Sequence, residues 1–597
     1  MLVTIDTLRA DRVGASAMPA LDRLARESIV FARTVSVAPL TLPAHASILT
    51  ALYPPRHGVR DNHLFSLGAD VPTFTEALAR RGYATGAFVS ASVLNRRYGL
   101  ARGFGAYDDN TGPLERAAAD TFAAAERWLA SAPRPAFAWI HLFEPHAPYK
   151  TGTYDAEVRA ADTALGRFID GIRQSAFWPD TLVSVTADHG ESLGEHGEKT
   201  HGFFVYDSTL LVPWITRVPG REAATITSQA RLVDVMPTLA EWAGAAIEWP
   251  KGSIDGVSLA AARADSPSPA LEAYSETWLP RHQFGWSELR SLRTDRAKFI
   301  AAPAPEAYDL AADPGETRNI ASSASERVRS MERQLAALER APVARPPRAS
   351  DPVVAEQLMA LGYIAPSGPE VACGAALAGC ERGEDPKDKI RVYQLTMDAL
   401  EASELGRPAD ALEMLRTAER LDARTAQVPF VLGVVLGNVG RFDEAATALE
   451  RAVALSPRHV LARFKLALAY VRTNRADRAQ RVLEGVLRDE PQNVRALHNL
   501  AAIAYTRGDL DRAAALEQQA VALDAGYAEA WNTLGAIDIL RQQPTRAVAA
   551  LQRATTIDPT NAQAFRNLAI ALRATGDQAA AERAALRACE LDRRLCE

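Results

Sequence analysis

The chain has 597 residues, 48% hydrophobic and 23% charged, a globular balance that excludes a mostly disordered or collagen-like protein. Its 67 basic and 73 acidic side chains leave a net charge of −6, which gives no electrostatic footprint for nucleic acid. No uninterrupted apolar run reaches the roughly 18 residues a membrane span needs. At roughly 100–200 residues per domain, the length predicts about three to five domain-sized units. Met1 runs straight into Leu-Val-Thr-Ile-Asp without a signal-peptide pattern. The expected compartment is therefore cytoplasmic, or periplasmic or otherwise extracytoplasmic if an N-terminal leader lies outside this sequence. The cysteines form two close pairs, Cys373 with Cys380 and Cys589 with Cys596; two local disulfides or four thiols are both open, and no metal-finger spacing occurs.

Residues 1–340 alternate short β-branched or aromatic runs with helical stretches. In chain order the expected elements are strand Leu2–Ile5, helices Ala20–Arg26, Pro43–Leu52 and Val71–Arg81, and strand Ala84–Val89. Helix Leu114–Ser131, strand Phe137–Leu142, helix Tyr154–Ser175 and strand Thr181–Thr186 follow. Such alternation predicts an α/β fold with a largely parallel central sheet, which binds ligands beyond the carboxyl ends of its strands.

Eight of the eleven histidines precede residue 202, which suggests metal or acid–base chemistry in this part. Three expected strands end in acidic or imidazole groups: Asp6, Asp188-His189-Gly190-Glu191 and Glu144-Pro145-His146. If the strands are neighbours, Asp6, Asp188 and His189 converge on one edge and suit one divalent cation, Zn²⁺, Mn²⁺, Ca²⁺ or Mg²⁺. Thr41 stands at the expected N-cap of a helix with Pro43 just inside. It is either a plain capping threonine or a nucleophile, since a helix N-terminus favours an alkoxide and an incoming anion.

Residues 341–386 read as a linker: a Pro/Arg-rich stretch, a short helix around Asp351–Leu361, then a Gly/Ala/Cys-rich segment. From residue 387 to the end the sequence repeats every 34 residues. Leu432, Leu466, Leu500, Leu534 and Leu568 keep this period, as do Ala411, Ala445, Ala479, Ala513, Ala547 and Ala581. Gly406, Gly440, Asn474, Gly508, Gln542 and Gly576 mark another register, and Pro457, Pro491, Ala525 and Pro559 a fourth. This pattern resembles the tetratricopeptide repeat and gives about six helix–turn–helix units. Such an array implies a concave surface for a protein or peptide partner.

The opening Val3-Thr-Ile-Asp-Thr-Leu-Arg-Ala-Asp11, the phrase Leu52-Tyr-Pro-Pro-Arg-His-Gly-Val59 and the Asp188–Glu191 turn resemble the sulfatase branch of the alkaline phosphatase superfamily. So do Val235-Met-Pro-Thr-Leu-Ala240 and Tyr308-Asp-Leu-Ala-Ala-Asp-Pro-Gly-Glu-Thr-Arg-Asn319. The resemblance covers most of residues 1–340. It implies an α/β sandwich of the alkaline phosphatase/sulfatase type, here followed by an all-α repeat solenoid, and cleavage of sulfate or phosphate esters through a covalent enzyme intermediate. It implies Asp6, Thr41, Asp188 and His189 as metal ligands. The second acidic residue of many sulfatases is absent, with Thr7 in its place, and the usual Cys or Ser, x, Pro, x, Arg reads Thr41-Leu-Pro-Ala-His45.

That phrase is similar to the nucleotide pyrophosphatase/phosphodiesterase branch, where threonine is the nucleophile and an asparagine, here Asn62, binds the non-bridging oxygens. The second metal set of that branch is not written after Glu144-Pro145. The segment His146-Ala-Pro-Tyr149 instead resembles sulfatases and phosphonate monoester hydrolases, whose histidine contacts substrate or protonates the leaving group. Lys199 and His201 are alternative contacts to the transferred group, and His45 holds the place of the sulfatase arginine. The expected activity is metal-dependent hydrolysis of a small-molecule or glycan sulfate or phosphate ester through a Thr41 ester. Leaving-group protonation falls to His146 or His201. The alternatives are a phosphoryl transferase using the same threonine, and a degraded enzyme serving as an interaction scaffold. A chain ending near residue 345 is expected to retain turnover.

Overall fold

The computed structural model describes residues 1–14, 16–112, 115–245, 247, 249–250, 252–263, 270–339 and 383–596. The expected linker helix at Asp351–Leu361 and the Cys373–Cys380 pair lie outside them. The chain divides into two compact units, Met1–Asp398 and Ala399–Glu597.

The first unit is built on a nine-stranded sheet. Its strands are β1 (Leu2–Ile5), β2 (Ile29–Val35), β3 (Ala84–Phe88), β4 (Ala106–Asp108), β5 (Ala136–Leu142), β6 (Val183–Ala187), β7 (Leu211–Arg217), β8 (Ala224–Ile226) and β9 (Ala230–Arg231). The order is β4-β3-β5-β1-β6-β7-β2-β8, with β9 also paired to β2. The first four neighbouring pairs are parallel, and β7 alone runs against its two neighbours β6 and β2. The sheet is therefore largely parallel, as the alternating pattern predicts. Its central strands β1 and β6 are buried at every position because helices cover both faces. Pro19–Ala25, Ala118–Ser131 and Tyr154–Arg173 pack together, and Thr41–Thr50 packs with Phe74–Arg80 and Val235–Trp242. The strands β2, β4, β7, β8 and β9 were not evident from local sequence pattern.

A second, antiparallel sheet follows: β10 (Ala273–Thr277), β11 (Leu289–Arg293), β12 (Ala297–Ala301) and β13 (Glu306–Asp309). It is tied to the first unit's core through Lys298, fully buried between Asp207 and Glu316. Arg293 adds a two-pronged contact to Asp207. A buried lysine needs such partners, since an unpaired interior charge is expensive.

The first unit also takes in chain beyond residue 386, where the sequence places the end of the linker. Ser287 N–H donates to Glu384 O (2.9 Å), and Tyr393 stacks on Phe203 with ring centroids 4.4 Å apart. Lys199 donates to both carboxylate oxygens of Asp398 at 2.9 and 2.8 Å. The start of helix Ile390–Glu404 is thus part of the first unit.

From Ile390–Glu404 to Gln578–Leu591 the chain folds into twelve helices of 12–15 residues. The periodic positions have distinct physical duties. Ala411, Ala445, Ala479, Ala513, Ala547 and Ala581 are all at most 1% exposed, where helices cross too closely for larger side chains. Gly406, Gly440, Asn474, Gly508, Gln542 and Gly576 all have φ between 58° and 88°. Each ends a helix in the left-handed region, which glycine enters without strain and asparagine tolerates. Cys589 and Cys596 form a disulfide near the end of the array. No helix among the described residues is long and apolar enough to cross a membrane.

Candidate functional site

Strands β5, β1 and β6 lie side by side in parallel, with Thr4 level with His141 and Thr186. Side chains alternate across a strand, so Thr4 and Asp6, Trp139 and His141, and Thr186 and Asp188 share one face at the carboxyl end of the sheet. Helix Thr41–Thr50 covers that face, and every residue in it is buried. Asp6, Asp188 and His189 each offer a ligand atom within 4.8 Å of the other two. Thr41 Oγ1 lies 3.4 Å from Asp6 Oδ2 and 3.5 Å from His189 Nε2. The expected convergence of Asp6, Thr41, Asp188 and His189 is therefore realised.

The turn after β1 is held tightly. Thr7 has φ 55°, a conformation unusual for a β-branched residue and a mark of local strain. Its N–H donates to Asp188 Oδ1 (3.3 Å), and its carbonyl accepts from Tyr154 Oη (2.8 Å). Asp188 Oδ1 also accepts from His189 N–H at 2.9 Å. The other oxygen, Asp188 Oδ2, and Asp6 Oδ1 are buried without a hydrogen-bond partner. His189 Nδ1 pairs with Gly190 O at 3.0 Å, which commits Nε2 to the cluster. Burial pushes the Asp6 carboxyl up to about 7 against the opposing pull of His189. Two desolvated carboxylates with unpaired oxygens, an imidazole and a hydroxyl fit a divalent cation, which would neutralise charge that the fold itself leaves uncompensated.

Thr41 is the first helical residue, not the cap; Leu40 precedes it in extended conformation. The hydroxyl is consequently free of capping duty and faces the carboxylates. The first N–H groups of a helix lack intrahelical partners. Here Pro43 has none to offer, and Leu42 N–H donates to Asn62 Oδ1 at 2.8 Å. That bond fixes the Asn62 amide and leaves its buried Nδ2 without a protein acceptor.

The remaining candidates separate. His201 is buried, with Nδ1 2.9 Å from Glu191 Oε1 and its ring 4.5 Å from that of His189 and 4.8 Å from that of His146. His146 stacks on Phe143 at 4.4 Å. Burial holds His201 down to about 4 and His146 well below the ordinary imidazole range. Lys199, the alternative to His201, is over half exposed and paired with Asp398, away from this cluster. His45 is fully buried with both nitrogens engaged: Nδ1 with Thr41 O (2.8 Å) and Nε2 with Thr4 Oγ1 (2.9 Å). Those two bonds tie the helix that carries Thr41 to β1.

Residue-by-residue reading missed two groups. Glu191, raised to about 8 by burial, holds His201 and accepts from Tyr149 Oη at 3.3 Å. Asp61, between His63 (2.9 Å) and His282 (3.4 Å), anchors the loop that carries Asn62. Glu191 belongs to the quoted Asp-His-Gly-Glu turn and was within reach; His282 arrives from a distant helix and left no local signal.

Residues 1–245 match the family model described as Sulfatase. Residues 411–524 match the tetratricopeptide domain of cytochrome c-type biogenesis protein H, and residues 541–594 match a further tetratricopeptide repeat model. Choline-sulfatase of Rhizobium meliloti is 29% identical over 174 residues, covering 28% of this chain and 33% of the relative. Arylsulfatase K of Bos taurus is 30% identical over 193 residues, covering 30% of this chain and 35% of the relative. The chain thus spans about a third of the length of the curated relatives it matches. Among solved structures, Ps i-CgsB in complex with k-i-k-neocarrahexaose superposes with a TM-score of 0.50 at 16% identity, covering 60% of this chain and 96% of that one. That likeness concerns the fold.

Proposed function

Starting from an N-terminal sulfatase domain followed by tetratricopeptide repeats, we propose that the chain hydrolyses a sulfate or phosphate ester with Thr41 as nucleophile. The observation that carries this reading is the group of buried polar atoms left without protein partners around one hydroxyl: Asp6 Oδ1, Asp188 Oδ2 and Asn62 Nδ2. A fold that serves only as a scaffold would gain nothing from such unpaired groups, each of which costs about 1–3 kcal/mol of desolvation.

In this mechanism Thr41 Oγ1 attacks the sulfur or phosphorus atom and its proton passes to Asp6, the carboxylate it contacts at 3.4 Å. Asn62 Nδ2 and the helix N-terminus bind the non-bridging oxygens, on which the added charge is spread. A divalent cation held by Asp6, Thr41, Asp188 and His189 would supply Lewis-acid charge at the same place. The leaving oxygen takes its proton from His201 or His146. Glu191 fixes His201 through Nδ1 and so directs Nε2 toward that role; an anionic ester beside the ring raises its proton affinity from the low value of the empty site. Water then attacks the Thr41 ester, releases sulfate or phosphate and returns the hydroxyl. The repeats offer a surface for a protein or peptide partner.

The test pairs two substitutions with a substrate panel of aryl sulfate, phosphate monoester, phosphodiester and phosphonate. Thr41→Ala lowers kcat by at least ~10³-fold through loss of the attacking atom, and Thr41→Ser keeps part of the rate. Quenched turnover yields a sulfate- or phosphate-sized adduct on the peptide containing Thr41. Near-full activity of Thr41→Ala sinks the reading.

A further inference from the structure

Beside the cluster just described stands an imidazole with no assigned task. His141, at the end of β5, is 0% exposed, and neither Nδ1 nor Nε2 has a hydrogen-bond partner. A buried imidazole always carries at least one N–H donor, so this ring forgoes hydrogen bonding at both nitrogens in the protein interior, at a cost of about 1–3 kcal/mol per group. Its neighbour His45 shows the ordinary solution, with both nitrogens satisfied by Thr41 O and Thr4 Oγ1.

His141 Nε2 lies 3.5 Å from Asp6 Oδ2. His141, His45 and Asp188 also offer ligand atoms within 4.8 Å of one another, a grouping that overlaps the Asp6–Asp188–His189 cluster at Asp188. Since His45 is committed on both sides, the ring that can turn toward an ion is His141. Its backbone is fixed by the register Thr4 to His141 between adjacent parallel strands.

We infer that His141 is a further ligand of the single cation held by Asp6, Thr41, Asp188 and His189. The inference rests on the metal-dependent reading above and deepens it, because it changes the donor set. Two carboxylates and a hydroxyl with one imidazole leave the ion open, whereas a second imidazole moves the site toward Zn²⁺ and away from Ca²⁺, which takes oxygen ligands.

The test uses the full chain and reads metal, not turnover. Metal-stripped wild type, His141→Gln and His141→Leu are titrated with Zn²⁺ and Ca²⁺ by equilibrium dialysis, and the visible absorption of Co²⁺ bound to each is recorded. Thermal melts are taken with and without Zn²⁺. Wild type should bind one Zn²⁺ in preference to Ca²⁺. Both variants should lose Zn²⁺ affinity by at least about tenfold, the lower range seen even for groups one step removed from the ion. Their Co²⁺ spectra should shift, and the Zn²⁺-induced rise in Tm should shrink. His141→Leu should melt no lower than wild type in metal-free buffer, because it replaces an unsatisfied buried ring with an apolar group; that separates ligand loss from misfolding. Variants that bind Zn²⁺ with wild-type affinity and an unchanged Co²⁺ spectrum overturn the inference while leaving the metal-dependent reading intact. Loss of a second equivalent of Zn²⁺ from two in the wild type overturns the single-ion form. A wild type that binds no divalent ion defeats the metal-dependent reading itself.

Discussion

The two units fill their interiors differently. The repeat array fills its core with alanine and leucine at fixed slots, and its repeating turn residues carry a backbone duty at the helix ends. The first unit buries Asp6, His141, Asp188, His189, Glu191 and His201 within one region and leaves several of their polar atoms unpaired. The array is optimised for its own packing. The sheet end stores unsatisfied charge and dipoles, which is the arrangement expected of a functional site.

If that contrast is right, removing divalent ions should divide the molecule. Chelation should lower turnover by at least ~10³-fold, the scale of lost charge stabilisation at a reacting centre, while the helical circular dichroism of the array stays unchanged. Activity that survives dialysis against a chelator breaks the comparison outright.

A smaller effect sharpens where the first unit ends. Tyr393 stacks on Phe203, two residues beyond His201, and is nearly buried. Tyr393→Ala should cost about 3 kcal/mol of first-unit stability, as for other buried aromatic truncations, and lower kcat by loosening the His201 loop. A chain stopped near residue 345, expected from sequence to retain turnover, lacks this packing and should be less active than the full chain. Equal specific activity of the two chains shows that the packing beyond residue 383 is dispensable.

Above about pH 7, where histidine is neutral in both the folded and the unfolded chain, the pH dependence of the metal-free protein should follow the buried acids. Asp6 is raised from 3.8 to about 7 and Glu191 from 4.5 to about 8, both by burial. Each binds its proton more tightly folded than unfolded, so stability is present at low pH and falls as pH rises from about 4 through 8. Melting curves of the chelated chain between pH 7 and 8.5, above the range in which the buried histidines oppose the trend, should show this decline in the first-unit transition, and saturating Zn²⁺ should flatten it. A metal-free Tm that rises across this range contradicts the burial argument.

The smallest change concerns the array. Glu517 is fully buried beside His498 at 2.8 Å, and burial raises its carboxyl. Replacing the pair together, Glu517→Leu with His498→Leu, should leave the array as stable as before or more stable by about 1–2 kcal/mol, since exchanging both members of a buried pair for apolar groups is neutral to favourable. Removing Glu517 alone would strand His498 Nδ1. A lower Tm for the array shows the pair to be a net stabiliser.

Legibility differed between the units for physical reasons. In the array each slot repeats, so Ala479 or Gly508 is identified by its counterparts 34 residues away, and the turn register was readable even where glycine gives way to Asn474 and Gln542. In the first unit the strand ends Asp6 and Asp188-His189 were readable because each follows an apolar run. The Thr41 helix was readable from Pro43, though not that Leu40 takes the cap position. The different surroundings of Lys199 and His201 were not readable, because Asp398, far along the chain, pairs with the lysine. The surroundings of His45 were not legible either, because its two partners, Thr4 and Thr41, meet only once the helix lies on the sheet. Strand β7 was hidden by its antiparallel course, which no local pattern announces.

The helix crossings of the array have one further consequence. Gly433 faces Leu449, and Gly535 faces Leu551, so closely that a methyl group would sit 2.4 and 2.3 Å from the leucine side chain. The same two slots hold Ala399 with Leu415, Ala467 with Leu483 and Ala569 with Ala585, and in the remaining unit Ala501 with Glu517. The array is therefore a set of paired letters in which a small residue on one helix dictates the bulk allowed on the next. Units could be exchanged, duplicated or lost as whole 34-residue blocks with this grammar intact, whereas a crossover inside a block would join a leucine to the wrong partner. Recombination would be tolerated between units and penalised within them.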